Sequence, residues 1–141
     1  MPTLAVATPR VFQLGDLEDY PVIAGDIIYQ GAAVGENGAG YSRPLVAGDV
    51  FQGFALDTCD NANGSAGDLR VHVRKKGNVV LPITGIALTA NDRAPVYASD
   101  DNTFTLTATG NSLIGYVSRW NGTGSAVVEF DAALARAALQ A

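Results

Sequence analysis

The chain has 141 residues and a mass of 14.6 kDa, the size of one domain. Apolar residues make up 48% and charged residues only 16%, against ~25% charged in an average domain, which excludes intrinsic disorder for most of the chain. Nine Lys+Arg against fourteen Asp+Glu give a net charge of −5, with one cysteine and one histidine; a phosphate-gripping basic surface, a disulfide framework and a Cys- or His-rich metal site are all excluded.

In chain order, Met1-Pro-Thr-Leu-Ala-Val-Ala-Thr-Pro-Arg10 has no basic n-region and too short an apolar run for a secretory leader. No apolar stretch approaches the ~18 residues of a membrane span. Residues 1–22 hold three of the six prolines and the acidic patch Asp16, Glu18 and Asp19, and read as an extended N-terminal arm. Residues 23–130 read as an all-β domain, because β-branched and aromatic runs alternate with many of the sixteen glycines. The predicted strands are Ile27–Val34, Tyr41–Ala47, Phe51–Leu56, Val71–Arg74, Val79–Ile83, Pro95–Ala98, Thr103–Thr107, Ile114–Trp120 and Ala126–Phe130. This pattern predicts a small β-barrel, tulip-like or sandwich domain.

Ala-Gly-Asp occurs three times, at 24–26, 47–49 and 66–68, each time before an apolar strand. Glycine reaches positive φ at low cost and aspartate bonds nearby backbone, so the tripeptide reads as a turn device, with ancient duplication the weaker alternative. Glu36–Gly40 predicts a hairpin loop, Asp57–Gly67 a longer surface loop, Ser99–Asn102 a polar turn and Gly122–Ser125 the last connection. The sequons at Asn63 and Asn121 read as turns. Residues 131–141 form a short C-terminal helix and tail: Asp131 can cap it, and Asp131–Leu139 is rich in alanine. Nine residues are marginal alone, so the helix must dock.

The residues that carry chemistry are sparse. His72 lies in Leu69-Arg-Val-His-Val-Arg-Lys-Lys76, where alternation puts Arg70, His72 and Arg74 on one face and Val71 and Val73 on the other. The solvated face of a strand is the simple reading, and no motif joins His72 to Cys59 as a nucleophile pair. Cys59 falls in a polar loop as a bystander thiol. Asp57, Asp60 and Asp68 suggest a calcium loop, but Ala62 stands where an oxygen ligand is wanted. No cofactor, no metal and no catalytic residue is expected, and the chain reads as a non-enzyme. The basic run Arg70–Lys76, with Arg70, His72, Arg74, Lys75 and Lys76, is either a hydrated strand face or an electrostatic contact for an acidic protein surface. So low a charge content leaves much neutral surface, as in chains covered by other subunits.

Four strings carry a resemblance. Gly40-Tyr-Ser-Arg-Pro-Leu-Val-Ala-Gly-Asp49, Gly53-Phe-Ala55, Val96-Tyr-Ala-Ser-Asp-Asp-Asn-Thr-Phe-Thr-Leu-Thr107 and Gly115-Tyr-Val-Ser-Arg-Trp120 resemble the capsid cement, or head decoration, proteins of tailed bacteriophages and prophages, over roughly Val22 to Phe130. The resemblance implies a β-barrel-like or tulip-like fold on the outer face of an expanded icosahedral capsid in the virion, often as a homotrimer. Its partners would be the major capsid protein and other copies of itself, clamped against internal DNA pressure, with no nucleic acid, membrane or small-molecule substrate involved. The matched strings serve the fold and do not themselves name contact residues. Within the arm, Leu4, Val6, Val11 and Phe12 are the expected contacts, adding an extended segment to a sheet edge of the capsid protein or of a neighbouring subunit. Two alternatives remain: a carbohydrate-binding or adhesive β-module displaying Tyr41, Tyr116 and Trp120, and a small hydrolase uniting Cys59, His72 and an aspartate.

Overall fold

A computed structural model of the chain describes residues 5–7, 10, 15–86, 91–122 and 124–140. Their order is β1 (Leu17–Pro21), β2 (Asp26–Ile28), β3 (Ala33–Glu36), β4 (Ser42–Pro44), β5 (Val50–Ala55), β6 (Cys59–Asn61), β7 (Arg70–Arg74), β8 (Lys76–Pro82), β9 (Pro95–Ala98), β10 (Phe104–Thr105), β11 (Ser112–Gly122), β12 (Ser125–Asp131) and α1 (Ala132–Gln140). One five-stranded antiparallel sheet runs β1-β7-β5-β3-β4, a second runs β10-β9-β11-β12-β8, and β2-β6 is a two-stranded ribbon. The protein is all-β with one short C-terminal helix, as the sequence predicts.

The two large sheets face each other across the main core. Ala33, Leu45, Phe51 and Phe54 from the first sheet side meet Leu81, Val96, Ala98, Phe104, Ile114, Val117, Ala126, Val128 and Phe130 from the second. Four phenylalanines form its centre, with ring centroids 4.9 Å apart for Phe54–Phe130, 5.5 Å for Phe51–Phe54 and 6.0 Å for Phe54–Phe104. Edge-on contacts of this kind add to burial itself. Strict alternation would put Phe51 and Phe54 on opposite faces. A bulge prevents this: Val34 pairs with Gly53 and Gly35 with Phe51, leaving Gln52 as the extra residue. Gly53 adopts φ +130°, and a Cβ there would lie 2.3 Å from the Arg74 carbonyl oxygen, so only glycine fits the bulge.

A second, smaller core lies on the other face of the first sheet. Val34, Ala55, Val71 and Val73 pack there under the ribbon, with Val22, Ile28, Ala32 and Cys59. The first sheet is therefore covered on both sides over its middle. The α1 helix starts where expected, the Asp131 carboxylate accepting the backbone N–H groups of Ala133 at 3.0 Å and Leu134 at 3.2 Å. Ala132 and Ala135 bury against the main core, which supplies the docking that so short a helix requires.

Three elements depart from the sequence reading. Leu17–Pro21, expected within the arm 1–22, is a full strand paired with β7; the five-residue ladder and the packing of Tyr20 against the smaller core hold a sequence with little β propensity in the sheet. Ile27–Val34 is two strands, broken by a turn in which the Ala32 N–H donates to the Tyr29 carbonyl at 3.0 Å. Asp57–Gly67 is not wholly loop: Cys59–Asn61 pairs with β2, and the buried Asn61 amide donates to the Ile23 and Ser65 carbonyls at 2.9 and 3.0 Å. All three Ala-Gly-Asp copies are turns, with Gly25, Gly48 and Gly67 at φ +74°, +94° and +85°.

Candidate interaction surface

Two of the strings that carry the resemblance, Gly40–Asp49 and Val96–Thr107, meet at the seam between the two large sheets. Asp49, buried at the end of the β4–β5 turn, is their hub. Its carboxylate accepts from Arg43 Nε at 2.9 Å, Arg43 Nη2 at 2.8 Å and the Val46 N–H at 3.0 Å. Ser112 of β11 crosses from the second sheet: its hydroxyl donates to the Asp49 carbonyl at 2.6 Å and accepts the Gly48 N–H at 3.1 Å. The Ser99–Asn102 turn completes the seam, Val46 bridging Asp100 and the Ala33 N–H donating to the Asp101 carbonyl at 2.9 Å. Within that turn the Asp100 carboxylate accepts from the Asn102 N–H at 2.8 Å and the Thr103 hydroxyl at 3.0 Å. Burial and the adjacent Asp100 push the Asp101 carboxyl above its ordinary range.

The basic run occupies β7 and the start of β8. Val71 and Val73 are buried and Arg70, His72 and Arg74 exposed, as alternation predicts. Each exposed member has a carboxylate of this same chain. Arg70 Nε lies 3.5 Å from Asp19, Arg74 Nη1 3.6 Å from Asp16, and His72 Nδ1 3.1 Å from Asp57. Lys75 and Lys76 make no ion pair among the described residues. Lys75 is instead a backbone junction: its N–H donates to the Asp16 carbonyl at 2.7 Å and its carbonyl accepts the Ala132 N–H at 2.8 Å. Two members of the acidic patch, Asp16 and Asp19, thus pair with two of the basic run, Arg74 and Arg70, far from them in sequence. Sequence spacing gave no signal for this, because Asp16, Asp19 and Asp57 arrive from other elements.

The residues required by the hydrolase alternative are not brought together. Cys59 packs in the smaller core with Val71 and Val73, while His72 projects from the opposite face of their strand. Burial, then Asp57 and Asp60, push the Cys59 thiol up, away from the thiolate a nucleophile needs. Asp57, Asp60 and Asp68 are also apart in role: they meet His72, the Ala62 N–H and the Ser65 N–H. No group of three His, Cys, Asp or Glu side chains suited to a metal occurs among the described residues. The aromatic side chains of the adhesive alternative are likewise separated, since Trp120 packs against the main core, Tyr41 lies beside Gly67 and Tyr116 is exposed on β11.

Of the expected arm contacts, Leu4, Val11 and Phe12 lie outside the described residues, and Val6 is exposed. The predicted strand Val79–Ile83 begins earlier, as β8, the last strand of the second sheet, paired with β12 through seven consecutive residues. Val80 at its centre, which the sequence reading did not single out, is 58% exposed. The chain matches no protein-family model and no curated protein.

Proposed function

We propose that this protein is a structural component of a tailed-phage virion. It binds the outer surface of the expanded icosahedral capsid and clamps neighbouring major capsid subunits against internal DNA pressure, without catalysis or cofactor. The observation that carries the reading is the seam. Two of the strings resembling decoration proteins, Gly40–Asp49 and Val96–Thr107, meet there through the Val46–Asp100 bridge, beside the bonds that join Gly48 and Asp49 to Ser112. A clamp has to transmit load between its two ends, and a junction that pins two sheets together suits that task. The exposed apolar residues on the second sheet, Val80 and Tyr116, give it a surface suited to being covered. Many copies on one shell make modest single-site affinity sufficient.

The test mixes purified protein with expanded capsids and measures bound copies per shell, alongside a variant lacking residues 2–13. The expected result is a fixed, saturable copy number for the full chain and its loss in the truncated protein, with the β domain still folded. Absence of saturable binding by the full chain overturns the proposal, and undiminished binding by the truncated protein overturns the role of the arm.

A further inference from the structure

Asn-Gly occurs three times in the chain, at Asn37-Gly38, Asn63-Gly64 and Asn121-Gly122. Such a pair can react with itself. The glycine backbone nitrogen, with no Cβ beside it to block approach, attacks the asparagine Cγ. A new N–Cγ bond closes a succinimide ring, and the side-chain nitrogen leaves as ammonia, carrying the proton that the glycine nitrogen gives up. Water then opens the ring at either carbonyl, leaving aspartate or isoaspartate. In isoaspartate the main chain runs through the side-chain methylene and is longer by that carbon. The reaction needs a glycine N–H that can lose its proton and an asparagine side chain free to turn onto it.

The fold places the three pairs differently. The Asn37 Oδ1 accepts the N–H groups of Ala39 at 2.8 Å and Tyr41 at 3.2 Å, and the Gly38 N–H donates to the Glu36 carboxylate at 2.6 Å. Taking the proton from that nitrogen would set two negative charges against each other. Asn121 lies within β11, and the pairing of the next residue, Gly122, with Ser125 fixes the main chain there. Asn63 lies in the exposed turn between β6 and β7, where among the described residues no hydrogen bond holds its side chain. The Gly64 N–H donates to a neutral acceptor, the Asn61 carbonyl, at 3.1 Å.

The same turn is fitted tightly to Asn61, the last residue of β6. A Cβ on Gly64 would lie 2.0 Å from Asn61 Oδ1. The Asn61 side chain, 2% exposed, ties the ribbon down through its bonds to the Ile23 and Ser65 carbonyls. An extra main-chain carbon between residues 63 and 64 displaces Ser65 and removes one of those ties. We infer that Asn63 is a site of self-modification, which deamidates ahead of Asn37 and Asn121, and that the isoaspartate formed there loosens the β2–β6 ribbon over Cys59. This reaction requires only water and does not rest on the capsid reading.

The test incubates the full-length chain at mildly alkaline pH, folded and in unfolding urea, and follows each asparagine by peptide mass mapping, with isoaspartate detected by an isoaspartyl methyltransferase. In the folded chain Asn63 should react at least about fivefold faster than either other site, the effect of one hydrogen bond that the others must break first. In urea, where those bonds are gone, the three rates should agree within about twofold. Equal rates in the folded chain, a lead for Asn37 or Asn121, or no reaction at Asn63 overturns the site. The consequence is read at Cys59, which should react with a thiol reagent at least about threefold faster in the aged chain than in the fresh one. Asn63→Gln, an exposed change whose longer side chain closes the ring slowly, should keep the fresh rate after the same ageing. Unchanged labelling of a chain carrying isoaspartate at 63, or equal acceleration in Asn63→Gln, overturns the loosening.

Discussion

The Asp49 carboxylate accepts two bonds from Arg43 and one from the Val46 N–H, while its own carbonyl receives Ser112. Charge-assisted bidentate pairs are the stronger kind of hydrogen bond, and this one is half hidden from water, Asp49 being 8% exposed and the Arg43 side chain 32%. Space is fitted to it as well: a Cβ on Gly35 would lie 2.6 Å from Asp49 Oδ2. Asp68, the equivalent residue of the third Ala-Gly-Asp turn, makes a single bond to the Ser65 N–H in an exposed loop. Asp49→Ala is therefore expected to cost about 2 kcal/mol and Asp68→Ala under about 1 kcal/mol. Thermal melts of the two variants check this, with Asp49→Ala falling roughly 5–8 °C. Similar melting of both would show that the seam is not held by Asp49. The sequence reading recognised both as turn aspartates. It did not rank them, because the rank depends on Arg43 and Ser112 arriving from either side.

At the scale of elements, the pairing of β1 with β7 changes what the basic run can do. Arg70 and Arg74 are paired with Asp19 and Asp16, and His72 with Asp57, while Lys75 and Lys76 make no ion pair among the described residues. A patch whose arginines are already answered within the chain steers an acidic partner weakly. Exposed pairs also contribute little to stability. Attachment to capsids should accordingly change by less than about threefold between about 0.05 and 0.5 M salt. A steep loss of bound copies with salt would show instead that Lys75 and Lys76 meet an acidic surface directly. Strand alternation made the exposed face Arg70-His72-Arg74 legible in the sequence. Its partners were not legible, since β1 is a polar segment ending in proline and nothing local marks Leu17–Pro21 as a strand. The β6 strand was hidden for a similar reason. Cys-Asp-Asn has low β propensity, and its ladder comes from β2, about thirty residues earlier. By contrast Pro95–Ala98 is read to its ends, because its valine and tyrosine are bounded by a proline and a polar turn.

For the whole molecule, the covering of one sheet on both faces sets up two layers of unequal strength. Among the described residues the main core holds seventeen buried side chains and the smaller core eight, and the smaller is closed by a ribbon of two three-residue strands. Ribbons of this length are marginal without their packing, and local openings begin where fewest apolar contacts hold. The chain carries one natural probe in each layer. Cys59, its only cysteine, lies under the ribbon, and Trp120, its only tryptophan, packs against the main core. In the closed state Cys59 is covered and burial pushes its thiol pKa up, so labelling at mildly alkaline pH requires the ribbon to lift. Once exposed, the thiol returns toward its free pKa of about 8.5 and reacts. In a urea series Cys59 should lose protection at a concentration at least about 0.5 M below the Trp120 fluorescence midpoint. Coincident transitions would mean that the ribbon and the two-sheet core unfold as one unit.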